Sequence, residues 1–231
     1  MAPRRGQAGG PMAQTVKETR DGHAPALTQL LALTALVLPG VVTGLLIEPR
    51  VARWVQAVLV LVLVLALLAS WPLVGRGIRS GPDRAVSGLL ALACLVPTLV
   101  VQGPGALWAW LSTAAFLLAL LAVFMFVRQM LRRDRRMVIR GISATAMGGV
   151  TAVAASGWVF LPELIGGLYP DLMPILVVLV ALLLLVGLMT SGHRWAQEAV
   201  DRRGAIGLAL MSVLLAGSIV VLAAMVLLTT F

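Results

Sequence analysis

Residues 106–140 read ALWAWLSTAAFLLALLAVFMFV followed directly by RQMLRRDRRMVIR, an uncharged apolar run and then six arginines against one aspartate. At 1.5 Å per helical residue, roughly 20 apolar residues cross the ~30 Å hydrocarbon core of a bilayer. The run 106–127 has that length. Trp108 and Trp110 stand at its start, where aromatic residues favour the membrane–water interface, and the arginines mark the end that stays with the positive side.

The same alternation of apolar run and polar gap repeats along the chain. It predicts an all-α polytopic membrane helix bundle with seven transmembrane helices, over about 27–47, 54–74, 85–102, 106–127, 141–161, 172–191 and 204–228. Bases fall in every second gap: four in 1–23, three in 75–84, six in 128–140 and three in 193–203, with Arg50 and Arg53 alone on the other side. Lys and Arg accumulate in cytoplasmic loops, so the pattern predicts the N-terminus inside and the C-terminus outside.

Composition agrees with a membrane class. The 231 residues are 60% apolar and 12% charged, against about a quarter charged in a soluble domain. Mean hydropathy is +1.01. Two units are expected: a disordered cytoplasmic tail over 1–23, rich in Gly, Pro, Gln and charge, and the transmembrane bundle over 24–231. The run Leu27–Ile47 is too long for the apolar core of a signal peptide and no A-x-A-like site follows it, so it reads as an uncleaved first span kinked at Pro39-Gly40. Seventeen of the eighteen bases are Arg and Asn is absent, a bias of GC-rich coding that points to a bacterial plasma membrane.

The spans differ in character. Val58–Leu65 alternates Val and Leu and suits a lipid-facing helix. Span five is its opposite, with small residues at every fourth position in Ala144, Gly148, Ala152 and Ser156, and a second stripe of Gly141, Thr145 and Gly149. Small residues let helix backbones approach where lipid is as apolar as leucine. Ala144, Gly148, Gly149, Ala152 and Ser156 are therefore the expected packing residues of the bundle centre.

Catalytic patterns are missing. A serine protease built on Ser156 needs a histidine in reach, and the two histidines are His23 in the tail and His193 at the far end of span six, roughly 20 Å away along the bundle. Cys94 is the only cysteine and lies in a span, so a disulfide or four-thiolate site within one chain is excluded. No GxxxxGK[ST] or GxGxxG phosphate loop occurs. No ionisable residue sits near the middle of any span, which argues against a proton relay in this chain. Glu163 and Asp171 share an external loop with Tyr169; Asp171 fits an N-cap of span six, as Asp83 does of span three. The chain is expected to be non-enzymatic, without cofactor or metal.

Charge then points to partners. Arg128, Arg132, Arg133, Arg135, Arg136 and Arg140 are candidate contacts for anionic lipid headgroups or an acidic partner, each base contributing about 1 kcal/mol near an anionic leaflet. The stretch 193–203, with Trp195, suits a short interfacial helix or a docking surface for a cytoplasmic protein. Arginines at span ends do not form a nucleic-acid surface. Two functions are compatible with this pattern. One is a scaffold or membrane subunit holding a protein partner in the membrane or at its cytoplasmic face. The other is a permease for an apolar or amphipathic substrate, served by a separate ATPase.

Overall fold

The computed structural model describes residues 24–72, 80–101, 103, 105–131, 138–166, 172–199 and 201–230, and they are helical throughout apart from short connections. The helices are α1 (Ala24–Leu46), α2 (Pro49–Ala69), α3 (Ser80–Val100), α4 (Gly105–Met130) and α5 (Val138–Ser156), then a 3-10 turn (Gly157–Phe160) leading into α6 (Leu161–Gly166). The chain continues as α7 (Leu172–Gln197), α8 (Arg202–Leu215) and α9 (Gly217–Thr230). Among the described residues, seven helical units are long and apolar enough to cross a membrane, with α5–α6 and α8–α9 each counting as one. The protein is a multi-pass membrane bundle. The tail 1–23 lies outside the described residues.

Local chemistry accounts for several boundaries. Pro49 opens α2, where its missing N–H costs no hydrogen bond. Asp201 caps α8 by accepting a hydrogen bond from the Gly204 amide at 3.0 Å. Between α3 and α4 the backbone reverses at Gly103 with φ +70°, a conformation that side chains with a Cβ resist.

The centre of the bundle is α5–α6. Of its apolar window 83% is buried, against 6% for α7. Thr151–Pro162 is buried without interruption, which means that neighbours cover it on every face. α1, α2, α3, α4, α8 and α9 all pack against some part of this unit.

Several expected boundaries and placements shift. α3 starts at Ser80 rather than near 85, so Asp83 lies inside its first turn and not at its cap. α7 continues unbroken through Gln197, and the residues from His193 onward belong to the end of a span instead of a separate interfacial helix. Glu163 sits in α6 rather than in a loop. Span seven is two helices joined at Ala216. α2 is exposed on one side only of its Val/Leu run, at Val58, Val62 and Leu65, while Arg53, Gln56, Ala57, Val60, Val64 and Leu67 form a buried stripe along it. α7 takes the exposed role. A helix apolar all round carries no mark of which face meets protein, because lipid and protein interior are equally apolar.

Candidate functional site

Span five's small residues lie where close approach is needed. Ala144, Gly148, Gly149, Ala152 and Ser156 are all buried. A Cβ added at Gly148 meets the Trp71 ring at 2.5 Å and Ser87 Oγ at 2.8 Å. At Gly149 the neighbours are Leu121 and Leu90. Ser156 Oγ accepts the indole N–H of Trp110 at 2.7 Å and donates to the Val153 carbonyl at 2.6 Å. Trp110 in turn meets Phe160 edge-on, with ring centroids 6.2 Å apart. Polar residues in α5 thus serve the helix seams.

Helix discontinuities meet just beyond Ser156. α5 breaks at Gly157, and Gly157 packs on the backbone of Gly217, where α9 begins. Gly217 in turn lies against the Ala154 carbonyl. Trp158 donates from Nε1 to the Val213 carbonyl at 2.9 Å, satisfying an oxygen beside the Ala216 break. Irregular backbone at membrane depth survives only where protein satisfies it, and here the two breaks cover one another. α1 contributes a flat surface of its own, with Gly40 against Leu161 and Gly44 against the Pro162 carbonyl.

Among the described residues, two partly buried ion pairs hold opposite ends of α3. At one end Arg53 on α2 pairs with Glu163 on α6. Its Nη1 also donates to the Val101 carbonyl at 2.8 Å and the Thr98 carbonyl at 3.3 Å. A cation placed on the last carbonyls of α3 complements the negative end of its dipole. At the other end Asp83, 1% exposed, accepts from Arg128 of α4 and from the Thr145 hydroxyl of α5, the latter at 2.7 Å. Asp83 lies in the first turn of α3, the end that favours an anion.

The arginine cluster is therefore divided. Arg128 has its charge directed at Asp83. Arg132, Arg133, Arg135 and Arg136 lie outside the described residues, as do Tyr169 and Asp171. Arg140 stands in the first turn of α5, and its side chain is outside the described set. No cluster of three or more potential metal ligands occurs among the described residues.

Sequence reasoning missed the ion pairs and the buried carboxamides. Gln29 on α1 donates to Ser212 Oγ at 2.9 Å and to the Met189 carbonyl at 3.1 Å, joining α1, α8 and α7. Gln56 donates to the Leu36 carbonyl at 3.0 Å, one turn before Pro39 within α1. Both glutamines stand out in apolar spans, and Gly40-x-x-x-Gly44 is a legible small-residue pair. Nothing in the sequence alone pairs Arg53 with Glu163, which lie 110 residues apart. No protein family model, no curated protein and no solved structure matches this chain.

Proposed function

We propose that the protein is a non-catalytic scaffold or membrane subunit of a larger complex. Its seven spans form a fixed body, and its basic loops hold anionic lipid headgroups and a protein partner. The single observation that carries this reading is the filled centre. α5–α6 is covered on every face through Thr151–Pro162, and glycine contacts on α1, α3, α4 and α9 leave its neighbours little room to move. The positive-inside bias puts the N-terminus in the cytoplasm and Phe231 outside. The arginine-rich, asparagine-free composition favours a bacterial plasma membrane.

A permease for an apolar or amphipathic substrate is the second reading, and the paired breaks at Gly157 and Ala216 favour it. Interrupted helices are where transporters place their sites and hinges. Single cysteines in a Cys94→Ala background separate the two. In a fixed scaffold, cysteines replacing Ala144, Ala152 and Ala155 stay unreactive toward a water-soluble thiol reagent. Periodic labelling along α5 would sink the scaffold in favour of a hydrated path. Purification in gentle detergent completes the test: a scaffold carries a defined partner in fixed stoichiometry, and a chain that purifies alone in every mild detergent is not one.

A further inference from the structure

An apolar slot lies between α7 and α9. The chain turns back after Gln197, so α8 packs along one half of α7 and α9 along the other. Leu176, Val180 and Leu184 recur at every fourth residue and form an exposed ridge on α7. Leu222 and Val226 form the facing exposed ridge on α9. Between the ridges Val177 and Ala181 of α7 and Ile219 and Ala223 of α9 make the floor, all less exposed than the rims. The slot has a volume of about 230 Å³.

Its direction and length match one leaflet of a bilayer. Ridges of residues four apart run close to the helix axis. Leu184 lies beyond Leu176 by a rise of about 12 Å, against the roughly 15 Å that is half of a hydrocarbon core. Leu176 is near the start of the span Met173–Gln197 and Leu184 near its middle, so the slot opens to the half of the membrane at which α7 begins. Every lining side chain is aliphatic, and water finds no hydrogen-bond partner there. A helix from another protein has the wrong shape. Helices associate in lipid through small residues that bring their backbones together. Here the small residues, Ala181 and Ala223, lie on the floor, while leucine and valine stand on both rims. A helix about 10 Å across rests on those rims and leaves the floor uncovered.

We infer that the slot binds one acyl chain of a phospholipid from that leaflet and retains it in preference to lipid at open helix faces. A chain lying between the ridges meets protein on both sides and beneath, whereas a chain beside a convex helix meets it on one side only. Dispersion contacts are weak singly and add up along the chain, so the enclosed position is favoured. Ala181 and Ala223 keep the path clear, because a longer side chain at either would stand in it. The lining carries no polar side chain, so the site takes hydrocarbon and does not read a headgroup.

Photo-crosslinking of the full chain tests the assignment. The protein is placed in vesicles of phosphatidylglycerol and phosphatidylethanolamine that contain a phosphatidylcholine probe with a diazirine midway along one acyl chain. After irradiation, adducts are mapped by mass spectrometry. They should concentrate on 176–184 and 219–226 and exceed those around Phe116, which is exposed on α4 and serves as the open reference face. Ala181→Phe fills the slot and should bring its adducts down to the reference level while the adducts at Phe116 stay as they were. Should Ala181→Phe lower the thermal unfolding midpoint, Ala223→Leu fills the slot from the other wall and carries the test. Equal labelling of the slot and the Phe116 face in the wild type would mean ordinary surrounding lipid and overturns the inference. So does slot labelling that survives filling, or a slot left unlabelled because a second copy or another protein covers it.

Discussion

Arg53 shows how much one side chain can carry in a bundle with few charges. It neutralises Glu163, donates to two terminal carbonyls of α3 and is only 7% exposed along its side chain. Removing one member of a fully buried pair leaves the other uncompensated, at a cost of about 3–5 kcal/mol, and the partial exposure of Glu163 lowers that cost here. Arg53→Met removes the pair and both carbonyl bonds together. Glu163→Gln keeps the shape of its side chain and a hydrogen-bonding group. Arg53→Met should therefore lower the thermal unfolding midpoint in detergent clearly more than Glu163→Gln, and the double variant should lose less than the two single losses added. Strictly additive losses would mean that the two side chains act independently, contrary to the geometry. From sequence, Arg53 is a base at the start of a span and Glu163 an acid near a turn. Only the third dimension joins them, which is why this part of the site was not legible. The glutamines of α1 and α2 were more accessible to reasoning, because an amide in a run of Val and Leu must find a partner.

Among the elements, α5–α6 was the most legible and α2 the least. Small residues recur in span five with helical spacing, and that pattern has few uses other than close packing. The Val/Leu run of α2 is compatible with lipid on all sides or with a buried stripe, and the buried stripe is what the fold adopts. The breaks were only partly legible, since Gly157 and Gly217 are visible but their mutual contact is not. That contact makes a sharp comparison with a glycine in open surroundings. Gly217 lies against the Ala154 carbonyl and Trp158, whereas Gly187 on α7 has nothing within 4 Å of its would-be Cβ. Overpacking a closed seam costs about 1–3 kcal/mol, and a carbonyl oxygen yields less readily than a side-chain end. A surface change away from such contacts stays within about 0.5 kcal/mol. Thermal unfolding of Gly217→Val and Gly187→Val should therefore separate them, with the first destabilised and the second near wild type. Equal losses at both sites would show that helix propensity, and not the α5–α9 contact, governs these glycines.

At the scale of the whole molecule, the two ion pairs fall on opposite sides of the charge asymmetry. Arg53 was one of two bases on the arginine-poor side, and its charge is answered by Glu163 within the bundle. Asp83 answers Arg128 on the other side, where fifteen further bases remain in the sequence. The positive-inside tally counts Lys and Arg whatever acids face them, so the pairs leave it at sixteen against two. The number of crossings rests on how α8 and α9 are joined. Each has 14 residues, which at 1.5 Å per residue is about 21 Å, too short to cross roughly 30 Å of hydrocarbon alone. In sequence they continue each other through Ala216, and their amide bonds carry across the joint: Ala216 N–H reaches the Ser212 and Val213 carbonyls, and Ile219 and Val220 reach Ala216. The two helices therefore count together as one unit long and apolar enough to cross a membrane. A reporter fused after Phe231 should give an external signal, and one inserted within 128–140 a cytoplasmic signal. An internal signal at the C-terminus would mean that α8 and α9 enter and leave by the same face. In that case the Gly157–Gly217 contact would join a re-entrant hairpin to the central helix, and the fixed body proposed for the bundle would have a movable part at its centre.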